Sequence, residues 1–206
     1  MTSRERQSGR RAAAPRASLV QLESLLLFAR NFVKHPLMLG SAVPSSRYLI
    51  EHLVAPVAFD RARVVVEYGP GVGPITAALL QRMRPDASLV ALEVNAELAA
   101  HLRAVVRDPR LHVVHASAER ADDAIARLKL PLADYVVSGI PFSTMPAATR
   151  QRVVRVTRAV LQPTGVFIVY QFSRAVLPDL RATFAEVRED FEPRNLPPAR
   201  LFYCAV

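Results

Sequence analysis

The chain has 206 residues, 51% of them hydrophobic, enough for one core of catalytic-domain size. Its 27 Lys and Arg against 18 Asp and Glu leave a net charge of +9, which favours an anionic partner: nucleic acid, an acidic membrane surface or an acidic small molecule. A single cysteine, Cys204, excludes an intramolecular disulfide and any cysteine-built zinc or iron–sulfur site, and makes a reducing cytoplasm the default compartment.

Residues 1–18 scatter Arg4, Arg6, Arg10, Arg11 and Arg16 among Ser, Ala, Gly and Pro, with Glu5 the one acid, which predicts a disordered basic tail. Arg10-Arg11 is followed by AAAPR rather than by the apolar run of an export signal. Leu19, Leu22, Leu26, Ala29 and Val33 then recur at three- and four-residue spacing, joined by Leu25 and Phe32, and predict an amphipathic helix. Its apolar face can pack on the domain or, because a basic tail runs directly into it, lie on an anionic membrane surface. Glu23 and Arg30 interrupt the run before it reaches the length of a membrane span. Residues 35–46 (HPLMLGSAVPSS) read as a connector, with Ser45 or Ser46 capping a short helix through Val54.

From there strands at 63–68, 88–93, 111–115, 134–138 and 165–171 alternate with helices at 74–83, 96–107, 119–128 and 147–161, Pro74 opening the first and Asn95 capping the second. Such alternation predicts parallel βαβ units, a Rossmann-like α/β layer. After a helix near 174–185, EVREDFEP and ARLFYCAV are separated only by RNLPP, too short for a parallel crossover, so these last two strands should pair antiparallel. The expected organisation is a tail (1–18), an amphipathic helix with a capping segment (19–54) and a catalytic domain (55–206). The five histidines fall on different elements, and His112 and His115 point to opposite faces of a strand, so no metal site is expected.

The first strand runs into Glu67-Tyr68-Gly69-Pro70-Gly71-Val72-Gly73-Pro74. Three alternate glycines allow a sharp turn and close approach of a ligand, although tight strand-to-helix turns use glycine in any case. The third glycine comes one place early for the dinucleotide pattern G-x-G-x-x-G, and no Lys follows as in a phosphate-binding loop. Glu67 would repel a pyrophosphate but suits a ligand bearing an ammonium and a sulfonium. Glu93 closes the second strand in VALEVN, 20 residues past Gly73, where an acid accepts hydrogen bonds from ribose hydroxyls. An adenosine with its ribose on Glu93 and its amino-acid tail over the glycines describes S-adenosylmethionine.

On these motifs the sequence resembles the class I S-adenosylmethionine-dependent methyltransferases, and within them the bacterial phospholipid N-methyltransferases, a group similar to the ribosomal RNA adenine dimethyltransferases. FVKHPLMLGSAVPSS, EYGPGVG, ALEVN, VVSGIPF and LPPAR, in this order, carry the resemblance from about residue 28 to residue 206. It implies a seven-stranded, mostly parallel sheet with an antiparallel C-terminal strand and helices on both faces. It also implies that Glu67, Gly69, Gly71 and Gly73 hold the methionine end of the cofactor, Glu93 and Val94 the ribose, and Ser117 and Ala118 the adenine. Ser45 and Ser46 would close over the cofactor, and Ser138, Gly139, Ile140 and Pro141 would line the methyl-transfer mouth. Many relatives carry an Asp where this chain has Ser117, a weaker acceptor; Ser117 either takes that contact, leaves it to Glu119, or merely caps the next helix.

Adenine methylation needs a polar residue, a proline and a stacking aromatic around a flipped base. Ser138-Gly139-Ile140-Pro141-Phe142 has the proline and the aromatic, but Gly139 lengthens the spacing, and the C-terminal helical domain expected of the RNA enzymes does not follow the last strand. The favoured reading is N-methylation of a phospholipid amine, that of phosphatidylethanolamine and its methylated forms, on the way to phosphatidylcholine. The enzyme would be cytoplasmic, bound peripherally at the inner face of the cell membrane. The alternatives are an RNA adenine methyltransferase or a non-catalytic cofactor-binding module. Lys34 and Arg200 are the candidates for the lipid phosphate, and Tyr48 and Tyr170 for orienting the amine. No residue declares itself a general base.

Overall fold

The run VVVEY leaves no face for solvent, and in the structure, a computed structural model, it forms a fully buried strand, β1 (Val64–Tyr68), at the middle of a seven-stranded sheet. The structure describes Leu26 and residues 45–206; the basic tail, Lys34 and the 19–33 helix apart from Leu26 lie outside the described residues. The other strands are β2 (Ser88–Glu93), β3 (Leu111–His115), β4 (Ala133–Ser138), β5 (Leu161–Gln171), β6 (Glu186–Glu192) and β7 (Ala199–Ala205), in the spatial order β3-β2-β1-β4-β5-β7-β6. Strands β1 to β5 pair in parallel, and β7 runs antiparallel to both β5 and β6. The last strand is therefore the one reversed strand, as expected, and it fills the slot between β5 and β6.

Six helices flank the sheet among the described residues: α1 (Arg47–Val54), α2 (Pro74–Arg82), α3 (Ala96–Val105), α4 (Ala121–Arg127), α5 (Ala147–Val160) and α6 (Leu177–Thr183). Alternate strand residues feed two cores. Val64 and Val66 join Ile125, Val153, Val154, Leu180 and Phe167 under α4, α5 and α6, whereas Val65 joins Leu49, Leu53, Ile75, Leu79 and Ile168 under α1 and α2.

Apart from ends that move by up to three residues, as in α3 and α6, two elements differ from the sequence expectation. The helix expected at 119–128 is a 3-10 turn, Ala118–Arg120, followed by α4, because Arg120 (φ −115°, ψ 26°) breaks the helical path between them. Strand β5 begins at Leu161, not at 165, since Ala133 pairs Leu161 and a register shift before Tyr135–Val166 absorbs Pro163.

Helix α1 is tied to the far edge of the sheet. Ser46 caps it by accepting the Leu49 N–H at 3.2 Å, and the Ser46 N–H donates to Asn195 Oδ1 at 2.9 Å. His52 places Nε2 3.1 Å from Asp190 and Nδ1 3.3 Å from Glu192, while its carbonyl accepts the Tyr203 hydroxyl at 3.1 Å.

Candidate active site

Strands β2, β1 and β4 end side by side, with Leu92 and Ser138 both in register with Tyr68, so their following loops meet where the chain crosses from one side of β1 to the other. In open α/β sheets this crevice is where ligands bind. Three groups of residues build it.

The first is the glycine loop. Gly69, Gly71 and Gly73 all have positive φ (70°, 58° and 91°). A Cβ on Gly69 would stand 2.7 Å from Ile140 and one on Gly73 2.7 Å from Leu102, so these two glycines serve internal packing. A Cβ on Gly71 would meet nothing within 4 Å, which leaves its backbone open to a ligand.

The second is a pair of buried acids. Glu67 accepts the Thr76 hydroxyl on Oε2 at 2.6 Å, while its Oε1 has no partner. Burial pushes this carboxyl up to about 7, Thr76 opposing the shift and the charge of Glu93 adding to it. Ser138 Oγ, at the end of β4, is likewise buried and unpartnered. Buried polar atoms are nearly always paired, so the orphan Glu67 Oε1 fits a ligand that carries its own donors, and an amino-acid ammonium is such a group. Glu93 reaches across the loop: Oε2 accepts the Gly71 N–H at 3.1 Å and Oε1 the Asn95 N–H at 2.9 Å. Burial raises its pKa and those backbone donors oppose the rise. Each oxygen keeps lone-pair capacity for a ribose hydroxyl. Val94, the next residue, exposes its side chain.

The third is the 138–142 loop. The Gly139 N–H donates to Tyr68 O at 3.0 Å, and Gln171 Nε2 donates to Ile140 O at 2.7 Å. Tyr170 lies so close over Gly139 that a Cβ there would be 2.9 Å from its hydroxyl, and Ser45 Oγ donates to that hydroxyl at 3.2 Å. Burial raises the Tyr170 pKa, so the phenol stays protonated at neutral pH. Phe142 is fully buried, edge-on to Phe167 with ring centres 6.5 Å apart.

The sequence-nominated residues thus divide. Glu67, Gly69, Gly71, Gly73, Glu93, Ser138, Gly139, Ile140 and Ser45 converge, and Tyr170 joins them. Tyr48 instead contacts Arg47, whose Nη2 donates to its hydroxyl at 2.8 Å, and Arg194, whose guanidinium lies 4.3 Å over its ring. Ser117 caps the 3-10 turn, accepting the Glu119 N–H at 3.2 Å and donating to the Glu119 carboxylate at 3.3 Å, and Ala118 is core. Arg200 pairs with Glu189 at 2.9 Å, and Glu189 also takes Arg174 at 2.7 Å, leaving the trio one net positive charge. Arg200 lies across from Gln171, the residue that holds Ile140. One signal in the sequence could have ranked Tyr170 above Tyr48: it lies at the C-terminal end of a central parallel strand, where α/β sites form. Among the described residues no three His, Cys, Asp or Glu side chains gather as for a metal, and no helix is long and apolar enough to cross a membrane.

Comparison with known proteins agrees with this geometry. The family model of the methyltransferase small domain matches residues 40–193. The chain is 34% identical over 185 residues, 89% of its own length and 96% of the relative's, to the ornithine lipid N-methyltransferase of Singulisphaera acidiphila. A shorter match, 28% identical over 95 residues, covers 42% of the chain and 33% of ribosomal RNA small subunit methyltransferase A of Ureaplasma parvum. Among solved structures, the N-methyltransferase NodS of Bradyrhizobium japonicum, in complex with S-adenosyl-L-homocysteine, shares the fold with a TM-score of 0.61 at 13% identity, covering 75% of this chain and 82% of that one.

Proposed function

This chain belongs to the methyltransferase small domain family and is an S-adenosylmethionine-dependent methyltransferase, and from that premise we propose that it methylates the amine of a membrane lipid headgroup. The observation that carries the lipid reading is the likeness, over nearly the full length of both chains, to an enzyme named for a lipid amine. The position of Phe142 supports it. An adenine acceptor needs an exposed aromatic to stack a flipped base, and the aromatic of the 138–142 loop is in the core. The headgroup is an ornithine lipid, as in the relative's name, or phosphatidylethanolamine, and with the latter the product lies on the way to phosphatidylcholine.

S-adenosylmethionine, when bound, supplies an electrophilic methyl group on a sulfonium. Glu67 Oε1 takes the ammonium of the methionine end, Glu93 the ribose hydroxyls, and Gly71 lets the backbone approach. Val94 borders the ribose, and Ser117, Ala118 or Glu119 the adenine edge. The 138–142 loop, Tyr170 and Ser45 form the mouth, where the hydroxyls orient the acceptor nitrogen. Because Tyr170 stays protonated, it positions the amine without serving as its base; the headgroup ammonium would give its proton to water, freeing the nitrogen lone pair for the methyl group, with the cofactor left as its thioether. Alignment and exclusion of water then supply most of the acceleration. Arg200 and Arg174, sharing Glu189, provide the positive charge for an anionic group on the lipid, with Lys34 a further candidate. Residues 19–54 act as membrane-contacting and capping segment to the domain 55–206, and the enzyme works peripherally at the inner face of the membrane.

The test is label transfer from methyl-labelled S-adenosylmethionine to vesicles containing phosphatidylethanolamine or ornithine lipid, or to ribosomal RNA, followed by organic extraction. Label in the organic phase that disappears with Glu93→Ala supports the proposal. Label confined to RNA overturns it.

A further inference from the structure

The β6–β7 turn, residues 193–198, carries the LPPAR motif. It is built in an unusual way: Leu196, its one large apolar side chain, points outward while the Asn195 amide points in. Leu196 is 72% exposed and is followed by exposed Pro197 and Pro198, whereas Asn195 is buried. Asn195 spends both ends of its amide on fixing the turn, Oδ1 accepting the Ser46 N–H at 2.9 Å and Nδ2 donating to Pro197 O at 2.8 Å. The exposure of Leu196 is therefore a property of an anchored turn, with little ordering left to be done on binding.

Two further exposed rings lie at this end of the sheet, on opposite faces, since Phe191 alternates with Asp190 and Glu192, which bond His52 of α1. Phe191, at the end of β6, is 48% exposed, and Tyr48, on the first turn of α1, is 36% exposed. Arginines lie beside both: Arg47 and Arg194 over the Tyr48 ring at 4.7 and 4.3 Å, Arg194 being paired with Glu192, and Arg200 5.6 Å from the centre of Phe191, sharing Glu189 with Arg174. Arg47 makes no ion pair among the described residues, and the whole chain carries +9. Single exposed apolar residues are ordinary, but an apolar tip held out on an anchored turn, with exposed rings and arginines to either side, marks an interaction surface.

We propose that the 193–198 turn, Phe191 and the first turn of α1 form a membrane-contact surface that seats on an anionic bilayer, Leu196 and Pro197 entering the headgroup region and the arginines meeting lipid anions. The choice of a bilayer rests on the lipid reading above. Leucine and proline offer no hydrogen bond to a base edge or a phosphate, whereas an apolar tip beside arginines matches the two attractions of a bilayer surface. The location gives the surface its use. Ser45, hydrogen-bonded to Tyr170 at the methyl-transfer mouth, directly precedes Ser46, Arg47 and Tyr48 in the chain, so a bilayer held here lies at the rim of the site.

The chain has no tryptophan, which permits a direct test. Leu196→Trp, Phe191→Trp and Leu132→Trp each place a single fluorophore in the full chain; Leu132 is also exposed but precedes β4, at the opposite end of the strands. With equimolar phosphatidylglycerol and phosphatidylcholine vesicles, emission at 196 and 191 shifts to the blue and is quenched by brominated acyl chains, while emission at 132 does neither. Leu196→Asp lowers vesicle partitioning by about tenfold and leaves methylation of detergent-dispersed lipid intact. Vesicle binding without a change at either position, a change with RNA but not with vesicles, or no vesicle binding at all overturns the proposal. Failure of the lipid-methyltransferase reading shows separately, as absence of label in detergent-dispersed lipid whatever the tryptophans report.

Discussion

Gly139 and Tyr170 approach so closely that a single methyl group on the glycine would stand 2.9 Å from the tyrosine hydroxyl. The backbone of the 138–142 loop is thus shaped against a side chain that Ser45 also reaches. Gly139→Ala must move Tyr170 and break that hydrogen bond. Displacement of about 1 Å at a reacting centre costs about 100-fold, so methyl transfer should fall by about 10- to 100-fold while the Kd for S-adenosylhomocysteine stays nearly constant. Tyr170→Phe keeps the packing and loses only the hydroxyl, and a smaller loss is expected. Turnover and calorimetric binding on the same preparations check both; unchanged turnover in Gly139→Ala would remove Tyr170 from the site.

Glu67 sets a pH dependence of unusual sign. Its carboxyl is raised from 4.5 to about 7 in the folded state, so between those values the folded chain holds a proton that the unfolded chain has released. Stability without cofactor therefore falls as pH rises through this window, by about 3 kcal/mol at order-of-magnitude level. Glu67→Gln abolishes that slope and is the more stable form at pH 8, yet it binds S-adenosylhomocysteine more weakly, because the ammonium needs the ionised carboxylate. Thermal melts at pH 5 and 8 for both forms decide this, and parallel pH slopes would count against it.

Glu192 has the opposite sign. The Arg194 hydrogen bond leads the effects that bring this buried carboxyl down from 4.5 to about 2, with His52 also contributing. Its stabilisation is complete above 4.5 and is lost as pH falls towards 2. Glu192→Gln should lower the Tm at pH 7 by several degrees, the effect of losing charge-assisted bonds worth about 1.5–3 kcal/mol. The difference from wild type should vanish near pH 2. A difference that persists there would mean that packing rather than charge holds α1 to β6.

Phe142 separates a core role from base stacking. Phe142→Ala should destabilise the fold by about 3–5 kcal/mol, as buried Phe truncations do, and Phe142→Leu should keep lipid methylation at a modest cost in Tm. Loss of activity in Phe142→Leu at unchanged stability would show that the ring acts at the substrate.

Local spacing made much of the fold readable. The alternation of strands with helices announced parallel βαβ units, five residues between the last strands announced the antiparallel pair, and Asn95 announced a cap, which it forms by accepting the Leu98 N–H at 3.1 Å. Where the local signal was ambiguous, the expected boundary falls short: the strand expected from Gly165 begins at Leu161, because a register shift against β4 absorbs Pro163.

The sequence alone determined the seven strands, the glycine turn with an acid on either side, and the choice of a sulfonium cofactor over a phosphate-bearing one, since each follows from residue type at short spacing. Which tyrosine packs on the 138–142 loop, whether Phe142 lies in the core, and which glycine stands open were decided only by tertiary structure. These depend on contacts between distant segments, as Ser45 meets Tyr170 across 125 positions. They also depend on which face of a strand or loop the packing of two cores turns inward, and periodicity within one segment carries no record of that.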